Sequence, residues 1–326
     1  MRLAARNFAQ LGLAFMAMVM VTACTQDVPV EEAPPTEPLV VYTAYSDKTY
    51  LPTLFNEFTQ DTGIIVIVRN GSVPGIVDDV IGDRITPRAD MLLTPFVAGM
   101  WRVAEADQLR PNYSNVVAEN VPAWLRDPDK FWTALSYQKA VLVYDADEIE
   151  VGELSAYEDL AAEGFRRKVC LTSSELPINR AVIAMLINKL GTRNAELAVR
   201  SWVANLAQPV FASEDLLMQA LASGECAVGI MSSGAAAVNS DSTLQVQVPA
   251  ETYVDIEAVG VTRHAHNPDA AIALIDWMLQ RDVQTRHAAQ TAAFPVLVEA
   301  EGNHNIATVA SGQTEAAKLA ERARYR

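Results

Sequence analysis

Positive charge is in short supply in this chain: 25 lysines and arginines stand against 40 aspartates and glutamates, a formal net charge of −15. That balance excludes nucleic acid and anionic lipid surfaces as broad partners, because neutralising phosphates needs the opposite excess. It leaves room for a small anion held by one local cluster. Cysteine, with three residues, and histidine, with four, are also scarce. His264-Ala-His266 offers two imidazoles, but no cysteine lies near and the pair falls where a strand turns into a helix, so it reads as a solvated loop rather than a metal site. The chain contains no Gly-x-Ser-x-Gly elbow, phosphate loop or dinucleotide fingerprint. Ser136-Tyr-Gln-Lys139 has the Ser-x-x-Lys spacing but none of its companion motifs. No nucleophile, base and orienting group can be assembled, so the expectation is a non-enzyme without a cofactor. Internal repeats are missing, and no segment is long and apolar enough for a membrane span, which needs about 20 residues.

What is present starts at the N-terminus. Arg2 and Arg6 precede an apolar core over residues 11–21, and Val21-Thr-Ala-Cys24 closes it with small residues. This resembles a bacterial lipoprotein signal over residues 1–23, which implies a lipidated Cys24 and attachment to a membrane in the periplasm or cell envelope. The alternative is an ordinary signal peptide with a chance cysteine. Residues 25–38, TQDVPVEEAPPTEP, carry four prolines and four acids and no aromatic residue. Such a stretch cannot bury enough surface to fold, so residues 24–38 read as a flexible acidic tether. With Cys24 lipidated, Cys170 and Cys226 remain, and outside the cytoplasm such a pair is expected to form a disulfide rather than two free thiols.

From residue 39 onward, strands alternate with helices. Leu39-Val-Val-Tyr-Thr43 is β-branched and apolar. Leu51, Leu54, Phe55 and Phe58 share one helix face that Gly63 closes, and residues 64–68 form the next apolar strand. Helix and strand then alternate through residues 76–81, 90–94 and 97–106. This pattern predicts a mostly parallel sheet flanked by helices, with ligands beyond the carboxyl ends of its strands, where Tyr45, Ser46, Asp47 and Thr94 lie. Residues 131–144, FWTALSYQKAVLVY, begin polar and become wholly apolar, as a strand leaving one lobe for another would. The length suits two lobes: 39–137 with a return over 251–300, and 138–250. Residues 301–326 turn polar and are expected to end in a frayed helix.

The richest chemistry is in residues 168–191, KVCLTSSELPINRAVIAMLINKLG. A short strand ends in Thr172, Ser173 and Ser174; Pro177 suits the first turn of a helix, and Asn179 and Arg180 follow as it begins. Hydroxyls, an amide, a guanidinium and unpaired N–H groups at the positive end of a helix dipole make an anion-binding geometry. The plainer alternative is a well-capped helix.

Several markers recur in order along residues 39–298: Phe58-Thr-Gln-Asp-Thr-Gly63, Ala89-Asp-Met-Leu-Leu-Thr94, Leu125-Arg-Asp-Pro128 with Trp132, Leu154-Ser-Ala-Tyr-Glu-Asp-Leu160, Arg167-Lys-Val-Cys170, Trp202-Val-Ala-Asn205 and Ala222-Ser-Gly-Glu-Cys226. Together they resemble the periplasmic ferric-ion-binding proteins, among the extracellular solute-binding proteins of ABC importers. The resemblance implies two α/β lobes hinged by crossing strands, a monomer that closes over its ligand, and permease and ATPase partners. It also implies a ferric site built on an adjacent tyrosine pair, a histidine and a glutamate. Here Gly234 and Ala235 occupy the phenolate positions, the first-lobe loop Tyr45-Ser-Asp47 has no histidine, and Val73-Pro-Gly75 falls where the glutamate belongs. A hard cation gains nothing from glycine or alanine side chains, so the inherited metal site is expected to be lost. The anion-holding half is carried over onto Ser174 and Asn179, with Ser232 and Ser233 near by and Arg180 adding a bidentate charge. The expected ligand is therefore a small anionic or polar solute, phosphorylated or carboxylated. The alternatives are a metal held by non-standard ligands, or a sensor or structural lipoprotein that kept the fold.

Overall fold

The computed structural model describes residues 37–45, 49–82, 87–237, 243–297 and 306–326. Among the described residues, ten strands form one sheet: β1 (Leu39–Thr43), β2 (Val66–Asn70), β3 (Met91–Thr94), β4 (Leu109–Arg110), β5 (Thr133–Asp145), β6 (Val169–Cys170), β7 (Val228–Ser232), β8 (Leu244–Gln247), β9 (Val254–Thr262) and β10 (Phe294–Pro295). The main path runs β2-β1-β3-β9-β5-β7-β6, with β4 beside β9 and both β8 and β10 beside β5.

The N-terminal third follows the predicted alternation. β1 pairs in parallel with β2 and β3, and the connecting Tyr50–Thr62 helix buries the predicted face of Leu51, Leu54, Phe55 and Phe58. Gly63 ends that helix at φ 76, and its N–H donates to the Thr59 carbonyl. A left-handed residue there costs a glycine nothing and any other side chain something.

β5 is the strand around which the two lobes are arranged. Its first half, from Thr133 to Lys139, lies antiparallel to β9, and its second half, from Ala140 to Tyr144, lies antiparallel to β7. Ala134, Leu135 and Tyr137 belong to one hydrophobic core. Ala140, Leu142 and Tyr144 belong to a second. The polar-to-apolar change read along residues 131–144 thus marks a strand that passes between cores.

Two expectations need correction. The sheet is mixed rather than mostly parallel: β9 is antiparallel to both β3 and β5, and β5 is antiparallel to β7 and β8. Antiparallel neighbours need no helical crossover, so a strand returning from the far lobe slots between β3 and β5 directly. The C-terminal segment is also not a frayed tail. The Gln313–Arg322 helix and the residues after it bury Ala316, Leu319, Ala320, Ala323 and Tyr325 in the second core. Those positions recur at helical spacing, and the charged residues between them disguise the stripe.

Cys170 and Cys226 are bonded, with Cα atoms 5.9 Å apart and a sequence separation of 56. The bond ties β6 to the segment entering β7. In the chain-entropy account, a loop of that length contributes about 4 kcal/mol. Replacing both cysteines with alanine is therefore expected to lower the urea midpoint of the second lobe by a corresponding amount, whereas an unchanged midpoint would show that the reduced chain is already constrained there.

Candidate functional site

A cavity of about 480 Å³ takes its walls from both cores. β5 and β9 supply the base. Side chains alternate across a strand, so Asp255 and Glu257 share a face, and the register sets them opposite Gln138 and Ser136. The Ser136 hydroxyl donates to Glu257 Oε2 at 2.7 Å. His287, fully buried, bridges outward from the same oxygen: its Nε2 lies 2.5 Å from Glu257 and its Nδ1 lies 2.8 Å from the Tyr50 hydroxyl. Glu257 Oε1 has no hydrogen-bond partner.

The electrostatics of the wall are acidic. Burial pushes the Asp255 carboxyl from its ordinary value of 3.8 up to about 7, against hydrogen bonds from the Val97 and Ile256 amides. The Val97 bond also makes Asp255 a cap for the Val97–Glu105 helix, which has no side-chain cap of its own. Burial likewise raises Glu214, whose two oxygens accept from the Ser232 amide at 2.5 Å and the Ser232 hydroxyl at 2.8 Å. Burial also acts to raise Glu257, but the charge and hydrogen bond of His287, with hydrogen bonds from Tyr45 and Ser136, hold it below the ordinary range. Burial followed by the nearby Glu257 charge raises the Tyr45 and Tyr50 phenols, so both remain protonated donors. Among the described residues, no lysine or arginine lines this cavity.

The residues singled out in the sequence divide into three groups. Tyr45 and Ser232 line the cavity. Thr94 is buried just behind it, donating to the Phe96 carbonyl, and the Ser233 hydroxyl accepts from the Lys139 amide. Ser174, Asn179 and Arg180 are not on the wall. Ser174 donates to the Tyr325 carbonyl, and Asn179, 2% exposed, gives its amide to Thr172 and Ser173. Arg180 is half-buried, and its Nε has no partner. Ser174 and Asn179 are turned to the protein's own backbone, although neither caps this helix, and the helix start presents Leu176, Pro177 and Ile178 to the cavity instead. Ser46, Asp47 and Cys24 lie outside the described residues.

Sequence reasoning missed Asp255, Glu257, Glu214 and His287. The available signal was Val254-Asp-Ile-Glu257, two acids at strand spacing within an otherwise apolar run. The loss of the tyrosine pair has a structural counterpart. A Cβ at Gly234 would lie 2.7 Å from the Ala292 carbonyl oxygen, so the neighbouring backbone has closed over that position. Among the described residues, no group of three or more His, Cys, Asp or Glu side chains could hold a metal ion.

Comparison with known proteins gives a consistent picture. Iron uptake protein A1 of Synechocystis sp. is 25% identical over 98% of this chain and 94% of its own length. A relative from Salmonella typhi, named for periplasmic binding of 2-aminoethylphosphonate, is 23% identical over 77% of this chain and 75% of its own. A Trichodesmium protein solved in complex with iron and citrate superposes with a TM-score of 0.81 at 25% identity, covering 89% of this chain and 100% of that one. The family model for bacterial extracellular solute-binding proteins matches residues 89–310. The chain belongs to that family, as a two-lobed periplasmic solute-binding protein of the ABC-importer type.

Proposed function

We propose that this protein captures a small solute bearing a cationic group, such as an ammonium or guanidinium, and presents it to an importer permease and its ATPase. The observation that carries this reading is a wall that holds Glu214, Asp255 and Glu257 and, among the described residues, no lysine or arginine. Buried carboxylates are costly until paired, so an entering cation gains by relieving them. Phenol rings at Tyr45 and Tyr50 add favourable faces for the same charge. An anionic solute, the expectation drawn from Ser174, Asn179 and Arg180, would meet three acids there and, among the described residues, no lysine or arginine. The amine in the Salmonella relative's named ligand is compatible with the cationic reading. A second reading is ferric ion, favoured by the relatives named for iron and by the oxygen-rich corner of Tyr45, Tyr50 and Glu257. In either case we propose that the mature chain is a monomer tethered through lipidated Cys24 and residues 24–38, with lobes drawn from 39–137 plus 251–300 and from 138–250.

Calorimetry with the purified chain tests this. Amine-bearing ligands such as 2-aminoethylphosphonate should bind with heat that Glu257→Gln removes, whereas any heat from inorganic phosphate or citrate should be unchanged by that substitution. Binding of ferric citrate alone would replace the cationic reading with the metal one.

A pH dependence follows from Asp255. Its folded value, near 7, lies above its unfolded value, near 3.8. Between these the native state holds a proton that the unfolded state has released. Stability of the unliganded protein from this group is thus full below about pH 4 and is lost as pH rises through about 7. Cation affinity should run the opposite way, tightening as Asp255 ionises. Thermal melts and titrations across pH 5–8 should show both trends in the native chain and neither in Asp255→Asn.

A further inference from the structure

Away from the central cavity, a second one of about 310 Å³ opens on the first lobe beneath the turn that joins Leu125 to Thr133. Three side-chain polar atoms on its lining residues have no hydrogen-bond partner: Asn112 Nδ2, Trp132 Nε1 and Thr133 Oγ1. Trp132 and Thr133 are each only 3% exposed. The amide orientation of Asn112 is fixed, because its Oδ1 accepts from the Ser114 amide at 2.9 Å. Flipping the group would set N–H against N–H. An indole nitrogen and an amide NH₂ can only donate. The missing partner is therefore an acceptor.

Orphaned buried donors are rare in folded proteins, and each carries a desolvation penalty until something fills its valence. Three on one cavity wall imply a common occupant. Arg126 and Lys130 line the same space, and neither forms an ion pair among the described residues. The Lys130 ammonium instead sits 4.7 Å above the ring of Tyr113, which is 71% exposed. Among the described residues Asp127 is the one acid on this wall, and its Oδ2 accepts from the Phe131 amide. On a chain of net charge −15, a wall with two cations to one acid and unsatisfied donors between them goes against the general trend.

We infer that this cavity is a second ligand site, one that accepts an oxyanion, a carboxylate or phosphate group, on Asn112, Trp132 and Thr133 with Arg126 and Lys130 at its mouth. The donors are closed to water in the present conformation, so the group reaches them as side chains at the exposed side of the wall turn aside. The motif Leu125-Arg-Asp-Pro128 with Trp132, otherwise without a role at the central site, supplies its frame.

The Trp132 indole N–H is a reporter built into the site. In the isotopically labelled full chain, the indole resonance that disappears in Trp132→Phe should shift saturably with sodium acetate, with inorganic phosphate, or with both. Acetate alone identifies a carboxylate source and phosphate alone a phosphate source. Asn112→Asp, which turns a donor into an acceptor, should weaken the response at least about tenfold. Arg126→Gln provides the same test on a partly exposed side chain should the first variant fold poorly. Asp255→Asn should leave the response intact, separating this site from the central cavity. The inference is overturned if neither anion moves the resonance up to about 50 mM, a limit weaker than any useful affinity, or if Asn112→Asp and Arg126→Gln respond as the native chain does.

Discussion

Glu257→Gln is expected to weaken solute binding by on the order of 100-fold, the largest single effect at the central cavity. Oε2 of this carboxylate is engaged by Ser136 and His287, with the Tyr45 phenol also beside the group. An incoming cation would find a charge already held ionised by its neighbours, since Glu257 sits below the ordinary carboxylate range despite its burial. The amide keeps the shape and loses the charge. Losing one member of a desolvated charge pair costs about 2–5 kcal/mol. Because the same substitution also loosens His287, melting of the unliganded variant must accompany the titration. A variant that melts as the native chain does and binds within twofold of it would remove Glu257 from the site.

Tyr325→Ala should be the most damaging change far from that cavity, costing about 3–5 kcal/mol of unfolding free energy. Tyr325 is 2% exposed; its hydroxyl donates to the Thr172 carbonyl and its own carbonyl accepts from Ser174. The substitution thus opens a large hole in the second core and removes the phenol that donates to the buried Thr172 carbonyl, while the Ser174 bond to the backbone carbonyl of residue 325 is retained. Ending the chain after Gly312 removes Ala316, Leu319, Ala320 and Ala323 as well, and should leave the face of the Pro177–Leu190 helix exposed and the protein aggregation-prone. Urea titration of the point variant settles the matter: a midpoint equal to that of the native chain would mean that the last residues dock only weakly.

Most of the framework could be read from the residues. The Tyr50–Thr62 helix, the crossing of β5 between cores and the Cys170–Cys226 bond each follow from a local signal: a helical stripe, a change in polarity along a strand, and a lone pair of cysteines outside the cytoplasm. The site was harder, for a physical reason. Ser174 and Asn179 carry the same donors whether they serve a ligand or the chain itself, and only the three-dimensional packing shows that Asn179 is committed to Thr172 and Ser173. Asp255 and Glu257 were hidden by the opposite effect: both lie in a β-rich run whose apolar residues suggest a core strand, and nothing local reveals that the face they share borders a cavity. The C-terminal helix was obscured because polar and charged residues make up most of its sequence while a narrow apolar stripe decides its fate.

The passage of β5 from one core to the other has a mechanical meaning. Lys139 is the last residue on the β9 side and Ala140 the first on the β7 side, so a swing of one half against the other is taken up in part as torsion around that peptide. A ribbon yields easily to twist and resists shear. Opening and shutting should therefore resemble the wringing of a strap rather than the turn of a loose joint, and stiffness at that one step would set how fast cargo is taken up and let go.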